Sequence, residues 1–215
     1  MPTLQVIHED TDLLVLDKPA GLLCVPGRGA DKQDCLSARV QQRWPEALVV
    51  HRLDMATSGL VLMARHAQMQ RDLSQAFATQ QIDKRYEAVV DGLPDPQEPD
   101  APWHQIDAPI AADWPRRPLR VIDPVHGKPS LTRWRVKAVL PGRDATRLEL
   151  APQSGRTHQL RVHLAHIGHP ILGDALYGDE RVQARSPRLL LHATRLEFAH
   201  PHTGLALRFE SSAPF

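Results

Sequence analysis

Residues 51–64 read HRLDMATSGLVLMA and combine a single acid with a strand signal. Asp54 lies between two apolar residues, and Thr57-Ser58-Gly59 after it is typical of a turn. The apolar run 60–64 predicts a buried strand. A carboxylate at the mouth of such a strand needs a cationic or hydrogen-bonding partner, because burying it unpaired costs several kcal/mol. Asp54 is therefore a candidate catalytic carboxylate. The alternative is an aspartate that only caps a turn.

The overall composition is that of an ordinary globular protein. The 215 residues are 42% hydrophobic and 24% charged, enough for one large domain or two small ones. The sequence contains no window of about twenty apolar residues, so no membrane span is expected. The N-terminus lacks the pattern of a secretory signal. Cys24 and Cys35 are too few for a disulfide framework, so we expect a reduced, cytoplasmic protein.

The charge is distributed unevenly along the chain. Residues 1–105 hold 10 Lys and Arg against 15 Asp and Glu, a net charge of −5, whereas residues 106–215 hold 16 against 10, a net charge of +6. Such asymmetry favours a polyanion partner, although surface charges also segregate by chance.

Apolar periodicity predicts many short strands and few helices. Strands are predicted at 6–7, 13–17, 60–64, 84–90, 106–110, 132–139, 147–150, 189–191, 195–198 and 205–209. Helices are predicted at 36–44, at 67–78, and after an expected N-cap at Thr157 as far as Gly168. The proline-rich segment 92–102 is expected to be a loop. This pattern indicates an α+β fold on a mostly antiparallel sheet.

A histidine-rich segment offers a different chemistry, that of a hydrolytic zinc site. Its candidate ligands are His158, His163, His166, His169 and Asp174. The spacing matches no zinc motif such as H-E-x-x-H, so chance clustering is the favoured interpretation. No Walker motif and no G-x-S-x-G motif occurs either, which argues against nucleotide hydrolysis and a serine nucleophile.

The segment 152–161, PQSGRTHQLR, offers a cationic partner for Asp54. Arg156 comes just before the expected helix start, where its side chain would be held in place and would meet a carboxylate through two hydrogen bonds. A solvated surface arginine is the alternative.

Together these segments resemble the RluA family of RNA pseudouridine synthases. Five motifs carry the resemblance, and they occur in the same order as in the family. They are residues 51–54 together with 57–59, residues 84–86, residues 154–163, residues 169–174 together with 177–178, and residues 189–193. It implies a pseudouridine synthase catalytic fold, in which a mixed, mainly antiparallel, bifurcated sheet with flanking helices carries a central cleft. It also implies a single catalytic domain over residues 1–215, without the small N-terminal S4-like domain of some relatives.

Three further segments resemble one subgroup of that family. They are Met55-Ala56, Val25–Arg28 and Asp113–Pro118. This resemblance implies two RNA substrates, a uridine in large-subunit ribosomal RNA and one in the anticodon stem-loop of certain tRNAs. A sister subgroup with a single RNA substrate and a non-catalytic RNA-binding module are the alternatives. We expect a monomer without membrane attachment.

The reaction implied by the resemblance breaks the bond from ribose C1′ to uracil N1, turns the base and rejoins it through C5. The target nucleotide must be flipped out of its stack. Asp54 would act as the nucleophile or as the base that starts glycosidic cleavage, with Arg156 as its paired guanidinium. Tyr86 would stack on the flipped uracil and help to remove the C5 proton.

The remaining expected site residues contact RNA or line the pocket. Arg52 would fill the gap left by the flipped base or contact phosphates, and Leu190 or Leu191 would form the pocket wall. The expected phosphate contacts are Arg116, Arg117, Arg120 and Lys128. We expect no metal and no cofactor, because the isomerisation exchanges one bond for another within a nucleotide.

Overall fold

The structure is a computed structural model that describes residues 4–94 and 102–215, so most of the predicted proline-rich loop lies outside the described residues. The described strands are β1 (Gln5–Glu9), β2 (Leu13–Lys18), β3 (Leu48–Val49), β4 (Ser58–Ala64), β5 (Asp83–Asp91), β6 (His104–Asp107), β7 (Ile110–Ala112), β8 (Arg120–Ile122), β9 (Leu131–Leu140), β10 (Ala145–Pro152), β11 (Leu191–Ala199) and β12 (Ala206–Glu210). The described α-helices are α1 (Leu36–Gln41), α2 (Ala67–Ala78), α3 (Gln159–His166) and α4 (Glu180–Ala184), and a 3₁₀ turn covers Ala30–Lys32. None of these helices is long and apolar enough to cross a membrane.

The chain folds into two compact units. The first contains residues 1–84 and 193–214, and the second contains residues 85–192 with Phe215. The boundaries fall inside β5 and β11, so each of these strands contributes residues to both units. The expectation of one catalytic domain stays a prediction.

The first unit is built on antiparallel strands backed by α2. Within it β1 pairs with β2, β2 and β3 pair with β4, and β11 pairs with β12. Every residue of β4 is buried, as its apolar run predicts. Met69 and Leu73, one turn apart on α2, pack into the same core. The predicted helix at 67–78 is confirmed residue for residue.

The second unit is a four-stranded antiparallel sheet in the order β5-β10-β9-β6, with β7 and β8 forming a separate pair. Long alternating strands supply its core, because Trp134 and Val136 face inward on β9 as the sequence pattern predicts. The expected α+β fold with mainly antiparallel strands is confirmed.

The beginning of α3 differs from the prediction. Thr157 is not its N-cap: the helix begins at Gln159, and His158 before it adopts a left-handed conformation with φ of +58°. A tight turn replaces the cap, because the N–H of Gln159 donates to the carbonyl of Arg156 at 3.1 Å. The predicted stop is confirmed, since Gly168 follows the helix with φ of +84°.

Local propensity also misplaces several element boundaries. The sequence pattern predicts separate strands at 189–191 and 195–198, but β11 runs unbroken from Leu191 to Ala199. Helix α1 ends three residues before the predicted boundary at 44, and α4 lies in a stretch without a predicted element.

The role of Gly59 differs from the turn predicted for Thr57-Ser58-Gly59. Strand β4 already begins at Ser58, and Gly59 has φ of +111°. A Cβ on Gly59 would lie 2.3 Å from the carbonyl oxygen of Ala193 and 2.5 Å from its nitrogen. Glycine is therefore required because β11 passes directly against this backbone.

Candidate active site

The loop that carries Asp54 is bonded to a buried cysteine just before Asp54 and is closed by a turn just after it. Before Asp54, the N–H of Leu53 donates to Sγ of the buried Cys24 at 3.2 Å. After it, the N–H of Thr57 donates to the carbonyl of Asp54 at 3.1 Å, which closes a turn immediately before β4. Asp54 itself is half-buried and Arg52 is exposed. The expected acid thus lies on a hydrogen-bonded loop at the beginning of a buried strand.

A buried lysine that the sequence analysis did not single out supports the same loop. Lys18 has no exposed surface, and its ammonium donates to the carbonyls of Pro19, Leu22 and Met55 at 2.9, 2.8 and 3.1 Å. The Met55 carbonyl also accepts from the N–H of Gly21 at 2.8 Å. Burying an ammonium is costly unless it is satisfied by hydrogen bonds, so this arrangement fixes the residue that follows Asp54.

His51 anchors the start of the loop. Its Nε2 accepts a hydrogen bond from the N–H of Leu62 at 2.9 Å, and its ring packs against Phe77 with 4.4 Å between centroids. Burial and the nearby charge of Lys84 lower the pKa of His51 to about 3. The imidazole is therefore neutral at physiological pH, as its acceptor role requires.

Tyr86 lies on β5 in the second unit. It is half-buried and lies opposite Leu150 in the register between β5 and β10. The next residue, Glu87, is salt-bridged to Lys137 and to Arg147. Because residues alternate along the strand, these ion pairs occupy the opposite face from the Tyr86 ring.

Gln159 organises the backbone around Arg156. Its Oε1 accepts from the N–H of Arg156 at 3.0 Å and from the hydroxyl of Ser154 at 2.8 Å. Its Nε2 donates to the carbonyl of Leu131 and to the hydroxyl of Thr132, both at 3.1 Å. The backbone of Arg156 is consequently fixed against β9, whereas its side chain is exposed and makes one long hydrogen bond to the Pro129 carbonyl, at 3.4 Å.

The buried arginine of this motif is Arg161, which the sequence analysis missed. It is 4% exposed, and it binds Asp174 through Nε at 2.8 Å and Nη2 at 2.6 Å. Asp174 has no exposed surface and also accepts the N–H groups of Leu176 and Tyr177. The sequence pattern offers no signal for Arg161, because every residue of α3 from Gln159 to Leu164 is buried and no single apolar face marks the position.

The expected phosphate-contacting residues separate into two groups. Arg116 is exposed but ion-paired to Asp113, with 2.7 Å between its Nε and the carboxylate. Arg117 is also exposed and its guanidinium lies 3.6 Å from the ring centroid of Trp114. Arg120 and Lys128, by contrast, line a cavity of about 800 Å³, and Arg156 lines it too.

Leu190 and Leu191 differ in their surroundings. Leu191 is 3% exposed at the start of β11. Leu190 is half-buried and packs beside a small core cluster that includes Val89 and Leu172. Its carbonyl accepts from the N–H of Val89 at 3.1 Å and its N–H donates to the carbonyl of Leu172 at 3.0 Å.

The histidine-rich segment does not form the considered zinc site. Both ring nitrogens of the fully buried His163 bind protein groups, the hydroxyl of Thr132 and the carbonyl of Ala108, each at 2.9 Å. Burial lowers the pKa of His163, which favours its neutral form. His158 instead bonds the hydroxyl of Tyr177 at 2.7 Å.

Among the described residues, a group spaced for metal binding comprises Asp12, His66 and His202. Nδ1 of His66 accepts from the N–H of Met69 at 3.3 Å, so its Nε2 carries the proton and donates to Asp12 at 2.9 Å. The contact between His66 and Asp12 is therefore explained by a hydrogen bond and does not require a metal ion between them.

The family follows from comparison with known proteins. A family model described as RNA pseudouridylate synthase matches residues 12–166. The chain therefore belongs to the RNA pseudouridylate synthase family, and it is an isomerase that converts uridine to pseudouridine in RNA. The family and reaction predicted from the sequence motifs are confirmed.

Individual relatives match over the whole chain. The dual-specificity RNA pseudouridine synthase RluA of Escherichia coli strain K12 is 41% identical over 214 residues, covering 100% of this chain and 95% of the relative. The enzyme of the same name from Haemophilus influenzae is 38% identical with the same coverage. Among solved structures, human RNA Pseudouridylate Synthase Domain Containing 4 has a TM-score of 0.77 at 25% identity, covering 98% of this chain and 88% of that one. Human RNA Pseudouridylate Synthase Domain Containing 1 has a TM-score of 0.76 at 26% identity, with 99% and 84% covered.

Proposed function

We propose that this chain is a dual-specificity enzyme that modifies one uridine in large-subunit ribosomal RNA and one in a tRNA anticodon stem-loop. The single observation that carries this is its 41% identity, over its full length, to the Escherichia coli enzyme named for dual specificity. The excess of positive charge in residues 106–215 supports RNA as the partner.

Asp54 is the residue that attacks the target nucleotide, as nucleophile or as base. The hydrogen bonds around Lys18, Cys24 and His51 support this role, because they hold the Asp54 loop in one conformation. A reacting group must be positioned closely to be effective, and a rigid loop supplies that positioning. Tyr86 stacks on the flipped uracil, Leu190 or Leu191 lines its pocket, and Arg52 contacts the RNA beside the vacated base.

A guanidinium from the motif 154–163 partners the reacting carboxylate. Arg156 is the candidate that the sequence motif supports, and its fixed backbone favours it. Arg161 is the second candidate, because a buried bidentate ion pair already holds its side chain in place. The conservative variants Arg156→Lys and Arg161→Lys keep the charge but lose the two-pronged geometry. The arginine that partners Asp54 is the one whose lysine variant lowers kcat while the Kd for RNA stays near the wild-type value.

The whole of residues 1–215 acts as one catalytic domain and as a monomer, without a metal or cofactor. We take the activity to be cytoplasmic, which is consistent with ribosomal and transfer RNA as the proposed substrates. Size-exclusion chromatography with light scattering tests the monomer, since a mass near 48 kDa, twice the 24.0 kDa of the chain, would contradict it.

Mapping pseudouridines in total RNA from cells with and without the gene tests the substrate assignment. Loss of one large-subunit ribosomal site together with one anticodon-loop site is the expected result. Loss of a single site in only one class of RNA would overturn dual specificity and favour a sister subgroup. Retention of every pseudouridine would overturn the proposed function altogether.

A further inference from the structure

The cavity of about 800 Å³ lies entirely within the second unit and combines three kinds of surface. Strand β7 gives it an apolar floor and Trp114 gives it an aromatic wall. Arg120, Lys128 and Arg156 line it together with one carboxylate, that of Asp123, so that positive charge predominates. Cavities that bind small organic ligands usually measure about 300–1,000 Å³ and combine apolar walls with a few polar groups. Its size and lining therefore suit a nucleotide.

Trp114 is unusually exposed for a residue of its kind. The indole is 68% exposed, while Trp44 and Trp134 are buried at 4% and 5%. The Arg117 guanidinium lies over the ring at 3.6 Å, which orients the indole by a cation–π contact. An exposed aromatic beside cationic side chains is the arrangement that proteins use to stack an unpaired base and hold its phosphates.

The cationic side chains are placed by backbone contacts. The N–H of Arg120 donates to the hydroxyl of Tyr177 at 2.9 Å. Lys128 exchanges two backbone hydrogen bonds with Ile110, at 2.9 and 3.0 Å, which joins its segment to β7. These contacts fix the backbone positions of Arg120 and Lys128, whose residues line the cavity.

We propose that this cavity binds a second unpaired nucleotide of the substrate RNA, separate from the target uridine. The base stacks on Trp114, and the adjoining phosphates contact Arg120 and Lys128. The inference rests on the proposed function, because it takes the ligand to be substrate RNA. It assigns Trp114 and the cavity to recognition of the loop that carries the target.

The test compares Trp114→Ala with Trp114→Phe in binding to a tRNA anticodon stem-loop and to copies with an abasic site at each unpaired position in turn. Loss of one stacked base should weaken binding by about 10-fold. We expect this loss for Trp114→Ala with the intact RNA, and a much smaller loss for Trp114→Phe, which keeps a stacking face. One abasic position should weaken wild-type binding equally and cost nothing further in Trp114→Ala.

Leu205→Ala serves as the matched control, because Leu205 is also a large exposed hydrophobic residue, at 66%, but lies in the first unit. Its RNA affinity should equal that of the wild type, and all variants should keep the wild-type Tm. The inference is overturned if Trp114→Ala binds the intact stem-loop as tightly as the wild type, or if every abasic penalty adds fully to the Trp114→Ala penalty. Pseudouridine formation by the wild-type chain is scored in parallel, so failure of the proposed function is seen separately.

Discussion

The N–H of Leu62, in the middle of strand β4, donates to Nε2 of His51 at the start of the Asp54 loop, across 2.9 Å. The bond requires an unprotonated Nε2 and therefore couples the anchoring of the loop to pH. Its donor is held by a strand in which every residue is buried. Protonation of His51 would both remove the acceptor and place a charge in this core.

His51 should make the protein less stable in acid. Its pKa is about 3 when folded, against 6.5 for an unperturbed histidine, so the unfolded chain binds the proton more tightly. The free energy of unfolding should fall as pH drops from about 6.5 towards 3, by up to about 1.4 kcal/mol per pH unit from this group. Urea unfolding at pH 7, 6, 5 and 4 measures the slope, and His51→Gln should show a smaller one. An identical slope in both proteins would contradict this assignment.

Replacing Lys18 should impair catalysis more than RNA binding. Lys18→Met removes the donor from three carbonyls, including that of Met55 beside Asp54. A displacement of about 1 Å at a reacting group can cost about 100-fold in rate. We expect kcat to fall by about 10–100-fold while KM for RNA changes little.

Lys32→Met is the control for Lys18, because it removes an exposed lysine from the same unit and should leave both constants unchanged. An unchanged kcat in Lys18→Met, in protein shown to be folded by circular dichroism, would mean that Lys18 does not position the loop.

The Arg161–Asp174 pair should matter far more for stability than a surface pair of the same geometry. Asp174→Ala leaves a buried guanidinium without its bidentate partner and should cost about 3–5 kcal/mol. Asp34→Ala breaks the bidentate pair of Asp34 with Arg39, in which Asp34 is 63% exposed, and should cost far less because solvent screens the pair. Denaturant unfolding of the two variants measures the difference. Equal losses would show that burial does not govern the strength of these pairs.

Gly59→Ala should be strongly destabilising because two effects combine there. The positive φ alone costs about 1–2 kcal/mol for an alanine, and the added Cβ would meet the Ala193 backbone at 2.3 Å. Gly142 also has positive φ, but a Cβ there meets nothing within 4 Å. Gly142→Ala should therefore show only the conformational cost. If the two variants lose the same stability, the close approach of β11 is not what requires glycine.

The periodicity of apolar residues was sufficient to predict those helices and strands that it defines by itself. The helix at 67–78 has a single apolar stripe, and β4 is a continuous apolar run, so neither needs distant information. The start of α3 was misplaced because a left-handed His158 and the side chain of Gln159, bonded to β9, replace the usual cap. Such contacts join residues far apart in the sequence.

The site residues also fall into those that local sequence reveals and those whose role depends on distant contacts. The motif around Asp54 was visible because an acid stands among apolar residues. Lys18 and Arg161 were missed, since a buried charge cannot be recognised until the carbonyls or carboxylate around it are known. The expected phosphate-contacting residues were identified by charge alone, but only the structure distinguishes Arg116, paired with Asp113, from Arg120 at the cavity.

The most direct test of the central claim is pseudouridine formation by Asp54→Asn and Asp54→Ala in a stem-loop that the wild-type chain modifies. Both variants remove the reacting carboxylate, and the asparagine keeps its shape. We predict that the rate of pseudouridine formation falls by at least about 1,000-fold, while the Kd for the RNA stays within about three-fold of the wild type. Product formed at near the wild-type rate by either variant would contradict the assignment of Asp54 as the reacting group.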